Sequence, residues 1–102
     1  MDRNELAVLK AVGGYQKFDG DIHQGLYKVS GQNLQKLTGL NPFELNQAVR
    51  LLTGHELAAV FAGKDTAPFD FVLVYLNSAG LNFYRSLSRK TLPNSVSKIS
   101  HI

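Results

Sequence analysis

Cysteine is absent from the 102 residues, which removes disulfides, thiolate metal sites and a cysteine nucleophile together. That absence fits a cytoplasmic chain. No apolar run is long enough to span a bilayer, and the opening MDRNELAVLK is charged where a signal peptide needs its apolar core, so no membrane contact is expected. Acids are missing from the C-terminal part: none follows Asp70, whereas Arg85, Arg89, Lys90 and Lys98 do. With a net charge of +3, this leaves a basic last third that can sit on an anion such as nucleic acid, or can be a solvated helix with a loose tail.

Constellations for chemistry are missing as well. His23, His55 and His101 stand far apart, and none lies at helical or metal-ligand spacing from another. His55-Glu56 lacks the second histidine of a metalloprotease motif, and Gly13-Gly14 lacks the lysine and hydroxyl residue of a phosphate-binding loop. Eight acids in the whole chain leave few pairs for acid–base work. The expectation is a protein that is not an enzyme, with no catalytic residue, metal ligand or cofactor.

What is present is a globular balance, 44% hydrophobic with 19% charged, in a length suited to one domain. Residues 1–92 are expected to form that domain. Pro93 ends regular structure, and the serine-rich residues 93–102 read as a flexible tail.

The most informative stretch is Ser30 to Gly54, SGQNLQKLTGLNPFELNQAVRLLTG. Ser30 can cap a first helix carrying Leu34 and Leu37, which Gly39 stops because glycine readily takes the left-handed conformation after a helix end. Asn41 is a good cap for a second helix, with Pro42 at its first position, where no amide hydrogen is required. Leu45, Ala48, Val49 and Leu52 follow at three- and four-residue spacing, and Gly54 closes the element. Two short helices across a glycine-containing turn form a helix-turn-helix pattern.

Around it, Asp2 and Glu5 resemble a capping box that opens a helix through about Tyr15, with Leu6, Leu9 and Val12 as its apolar row. Phe18-Asp19-Gly20 reads as a turn and Gly25–Val29 as a short strand. Leu57–Ala62 and Phe69–Leu76 have strand composition and are joined by the turn-rich loop 63–68, so a β-hairpin is expected. Ser78 can cap a last helix through about Arg89, with Phe83, Tyr84 and Leu87 inward.

Helix, helix, helix, strand, strand, helix is the winged helix arrangement. YLNSAGLNFYRSL, Tyr75 to Leu87, resembles the strand-to-helix junction of many bacterial and archaeal winged-helix proteins. There the second wing strand ends in a Leu-Thr-X-X-Gly step; this chain has Leu76-Asn77-Ser78-Ala79-Gly80, with asparagine in place of the threonine. Over roughly Met1 to Lys90 the resemblance implies an α+β winged helix-turn-helix fold: three N-terminal helices, a two- to three-stranded wing sheet and a closing C-terminal helix. It also implies a small sequence-reading protein of double-stranded DNA, such as a transcriptional regulator, with helix 42–53 in the major groove and loop 63–68 as a wing.

Candidate site residues follow from the outer face of that helix. With Leu45, Val49 and Leu52 inward, Phe43, Asn46, Gln47 and Arg50 point outward. Asn and Gln can pair with adenine, Arg with guanine, and Phe with a thymine methyl; a helix entering by its N-terminal end also brings Asn41 near the bases. Gln35, Lys36, Lys64 and Arg85 are candidates for phosphate contacts. One Arg against one Glu leaves this helix nearly neutral, which speaks against strong DNA binding. The runner-up reading is a winged-helix module whose same face meets protein and binds no DNA.

The second strand, FDFVLVYL, is apolar on both faces. Phe71, Leu73 and Tyr75 on one of them are expected to be covered within the chain or by a partner, and a homodimer contact is favoured.

Overall fold

The structure is a computed structural model and describes residues 1–16 and 28–87. The turn at Phe18-Asp19-Gly20, the start of the Gly25–Val29 strand, the basic residues Arg89, Lys90 and Lys98, and the 93–102 tail lie outside the described residues. In chain order the elements are α1 (Arg3–Gln16), β1 (Val29–Ser30), α2 (Gly31–Thr38), α3 (Pro42–Gly54), β2 (Ala58–Phe61) and β3 (Leu73–Leu76), followed by a helix over 78–87, α4.

α1 starts at Asp2, whose Oδ1 accepts the Glu5 amide at 2.7 Å. The expected capping box is only half formed, because the Glu5 side chain does not turn back to Asp2. It points inward and is 1% exposed, in the row with Val8, Leu9 and Val12. There Glu5 Oε2 meets Nδ1 of His55, at the end of α3, at 2.6 Å. A carboxylate on the core-facing side of a helix is tolerable when a hydrogen-bonding partner reaches it.

Ser30 ends β1 and caps α2, accepting the Asn33 amide on its Oγ at 3.2 Å. Gly39, at φ 76°, takes the left-handed turn as expected and donates its N–H to the Gln35 carbonyl at 2.8 Å. α3 closes at Gly54 as expected, but without a left-handed glycine. The left-handed position falls on Glu56, φ 60°. The Glu56 amide donates to the Thr53 carbonyl and the Leu57 amide to the Leu52 carbonyl, at 3.0 and 2.9 Å, which is a Schellman ending. Leu57 is thereby delivered to the edge of the core, and that packing sets where the turn falls.

The hairpin forms, in a longer-looped version of the expected one. β2 pairs antiparallel with β3 in the register Ala58↔Leu76, Ala59↔Tyr75, Val60↔Val74 and Phe61↔Leu73. β1 pairs antiparallel with the other edge of β3, Val29↔Val74 and Ser30↔Leu73, so β3 is central in a three-stranded sheet. The first half of FDFVLVYL is not strand. Thr66 and Phe69 exchange bonds, Phe69 N–H to the Thr66 carbonyl and Thr66 Oγ1 to the Phe69 carbonyl, at 2.8 and 2.6 Å. Phe69 and Phe71 both turn into the core, which costs this segment its pairing but buries two large rings. The ladder resumes where the Val72 amide donates to Phe61 at 2.7 Å.

α4 is capped by Asn77 and not, as expected, by Ser78: Asn77 Oδ1 accepts the Gly80 amide at 2.9 Å. Asn77 Nδ2 also donates to the Glu56 carbonyl at 2.9 Å, tying the start of α4 to the end of α3. Gly80 sits against that corner, where any Cβ would collide with the Leu57 carbonyl oxygen. The core is filled by Val8, Leu9 and Val12 of α1, Leu34 of α2, Leu45, Ala48, Val49 and Leu52 of α3, and Val74, Leu76 and Leu81 behind them. Each fully buried aliphatic side chain there contributes about 1.5–3 kcal/mol relative to exposure.

Candidate nucleic-acid interface

α3 is placed by its caps and by its buried stripe. Asn41 Oδ1 accepts the Glu44 amide at 2.8 Å, and Glu44 Oε1 accepts the Asn41 amide at 3.0 Å, a reciprocal capping box in front of Pro42. Leu45, Ala48, Val49 and Leu52 are buried, which fixes the rotation of the helix about its axis. Gln47 and Arg50 consequently face solvent, Asn46 is half-buried, and Phe43 is 74% exposed at the first turn. A phenyl ring that open to water, on a helix otherwise well packed, has no role in the core.

Two of the outward residues are engaged by the arm that returns from the wing loop to β3. Asn46 Nδ2 donates to the Pro68 carbonyl at 3.0 Å, and Asn46 Oδ1 accepts the Asp70 amide at 2.8 Å. One turn further along, Arg50 Nη2 donates to Asp70 Oδ2 at 2.8 Å, and both side chains are well exposed. A cleft of about 160 Å3 opens here between α3 and the arm.

The phosphate-contact candidates are distributed unevenly. Lys36 is exposed on α2, and Gln35 beside it is half-buried. Lys64 is exposed on the wing loop next to Asp65, whose φ is 57°, and shares a cleft of about 310 Å3 with Ser30 and Gln32 at the start of α2. The folded wing loop therefore lies beside both helices of the helix-turn-helix. Arg85 stands on α4, where its guanidinium donates to Asn82 Oδ1 on the same helix at 3.3 Å.

The partner-surface expectation needs a correction at one residue. Phe71 is 3% exposed and belongs to the core, because strand alternation fails before Leu73 and the ring packs inward. Leu73 and Tyr75 do face outward, half-buried, and the residue that joins them is Phe61 of β2. The Phe61 and Tyr75 rings lie 5.7 Å apart, with Lys28 Nζ 5.2 Å from the first ring centroid and 6.0 Å from the second. Such a cation over aromatic faces is weakly attractive and covers apolar surface with its stem.

Asp70, Phe61 and the Glu5–His55 pair were not among the residues singled out in the sequence. Asp70 gave no local signal, being one charge in an apolar run. Glu5 did give one: it lies three and four residues before Val8 and Leu9, on the face that must be buried. Among the described residues, no group of three or more His, Cys, Asp or Glu side chains is gathered as a metal site would require. None of the described helices is long and apolar enough to cross a membrane.

Capped helix-turn-helix, three-stranded sheet with a long hairpin loop and closing helix together make this a winged helix fold. Its overall course is similar to that of a solved MarR family regulator from Neisseria meningitidis, matched with a TM-score of 0.65 at 14% identity. All of this chain is covered and 63% of that one, so the chain spans less than two thirds of that regulator's length. At this identity the likeness establishes the fold. No protein-family profile matches the chain, and no curated protein matches it in sequence.

Proposed function

We infer that the protein is a small DNA-binding protein that reads duplex sequence as a transcriptional regulator does, and that it works in the cytoplasm. The observation that carries this is the first two turns of α3. They are rigidly capped and packed on one side, and on the other they present Phe43 and Gln47 to solvent. In this reading α3 enters the major groove by its N-terminal end, Gln47 pairs with adenine and Phe43 meets a thymine methyl. Lys36 and Lys64 hold phosphates on either side. Asn46 is occupied by the wing arm and Arg50 is paired with Asp70, so Gln47 carries most of the base reading at rest. Two copies would act together through the outer sheet face around Phe61, Leu73 and Tyr75, since two half-sites multiply modest contacts.

A second reading is favoured by one feature. Leu37 and Phe43 are both more than half exposed on the helix-turn-helix, an apolar pair on a nearly neutral surface, as a protein-binding module would have. A gel-shift assay on mixed-sequence duplex at low salt separates the two. Retarded DNA that is released by salt is the expected result; no retardation at any protein concentration would leave the protein-binding module as the better account.

A further inference from the structure

The outer face of α3 has a carboxylate set against its single arginine, and the chain holds that carboxylate in place. Asp70 lies between Phe69 and Phe71, both buried, so its backbone cannot swing away from the helix. Its amide is accepted by Asn46, which also binds the Pro68 carbonyl, so the arm is clamped on two sides one helical turn before Arg50. From there Asp70 Oδ2 reaches the Arg50 guanidinium at 2.8 Å. The pair is 70% and 60% exposed and faces the open cleft between α3 and the arm.

A carboxylate and a phosphodiester offer a guanidinium the same thing, anionic oxygens that accept charge-assisted hydrogen bonds. We propose that Asp70 is a built-in competitor of DNA phosphate for Arg50 and thereby sets the affinity of the α3 face; the proposal rests on the DNA-binding reading above. Exposed ion pairs are weak and salt-screened, so Arg50 exchanges Asp70 for phosphate on binding and is not locked away from it. The exchange forfeits the ion pair and leaves an unpaired carboxylate beside a polyanion. Both effects lower affinity, and both act on every sequence alike, because Arg50 is here assigned a phosphate in place of the guanine expected from the sequence, and a phosphate contact carries no sequence information.

Asp70→Asn removes the charge while keeping the backbone amide that Asn46 holds. Wild type, Asp70→Asn, Arg50→Ala and the double variant are titrated into a short fluorescent duplex of mixed sequence, by anisotropy, across a salt series. Asp70→Asn is expected to bind about two- to fivefold more tightly at low salt, the range of an exposed ion pair. Its salt slope should stay close to that of wild type, because Arg50 neutralises the same phosphate in both complexes. In the Arg50→Ala background the gain should shrink to the part that comes from the Asp70 charge facing the polyanion. A gain of equal size without Arg50 would make Asp70 a mere background charge and overturn the proposal, as would wild-type affinity in Asp70→Asn. In those cases wild type still binds DNA and the functional reading survives; if none of the four proteins binds, both fall. Thermal melting of Asp70→Asn, expected within a few degrees of wild type, separates an electrostatic effect from a folding one, and Asp70→Ser provides a second neutral side chain.

Discussion

Among the described residues, Glu56 and Glu5 are in a conformation and an environment that their type alone would avoid. Glu56 holds the left-handed position at the end of α3, where a side chain bearing Cβ costs about 1–2 kcal/mol. Glycine there removes that cost and loses about 0.5–1 kcal/mol through its more flexible unfolded state. Glu56→Gly is therefore expected to stabilise the fold by up to about 1.5 kcal/mol, read as a raised urea midpoint. A lowered midpoint would mean that the Glu56 side chain contributes more than its conformation costs. Glu5 is the other case, a buried carboxylate bonded to His55. His55→Ala strands that carboxylate and should cost about 1–3 kcal/mol, whereas replacing both, Glu5→Leu with His55→Ala, should recover much of the loss. Chemical denaturation of the single and double variants measures the coupling, and purely additive losses would show that the two side chains stabilise independently.

Among the elements, the corner joining the end of α3, the end of β3 and the start of α4 concentrates the most dependence on single side chains. Asn77 caps α4 and ties it to the Glu56 carbonyl, so one residue satisfies groups from two elements. Threonine, the residue usual at this step in the proteins it resembles, can cap through its hydroxyl but has no second amide donor for Glu56. Asn77→Ala should lose about 1–2 kcal/mol, and Asn77→Thr should keep the cap and lose only the tie. Melting curves rank the three proteins: wild type, then threonine, then alanine. Alanine and threonine variants of equal stability would show that the cap adds nothing. Gly80 is the partner in this arrangement, since any Cβ there meets the Leu57 carbonyl.

For the whole molecule, function depends on surfaces that the core leaves open. If α3 reads bases, Gln47→Ala should relax preference at one base pair by about 1–3 kcal/mol. Lys64→Ala should weaken all duplexes alike and reduce the salt slope by about 0.9. Competition titrations with single-base operator variants distinguish these patterns, and a uniform loss from Gln47→Ala would move it to the backbone contacts. Self-association is a separate question, tied to the outer sheet face. Leu73 is half-buried there and outside the core, so Leu73→Glu should leave a folded protein. If a second copy covers this face, sedimentation should show wild type as a dimer and Leu73→Glu as a monomer. A wild-type protein that sediments as a monomer at high concentration would end the dimer proposal.

The sequence by itself determined the helices of the helix-turn-helix, their caps at Ser30 and Asn41, the stop at Gly39 and the inward face of α3. Each rests on residues three or four apart, where backbone geometry alone decides which groups meet. The Leu-X-X-X-Gly step was legible for the same reason, though the cap fell on Asn77 and not Ser78. Only the tertiary structure decided that Phe71 would be core, that β3 would take two partners, and that Asn46 and Arg50 would meet the wing arm before any ligand. Those contacts join residues 20 and 24 positions apart, and Glu5 with His55 spans 50. No local rule reaches across such distances. Local propensity favoured a continuous strand through Phe69 and Phe71, but burying two aromatic rings against the helices outweighed the ladder bonds lost, and that balance exists only once the helices are in place.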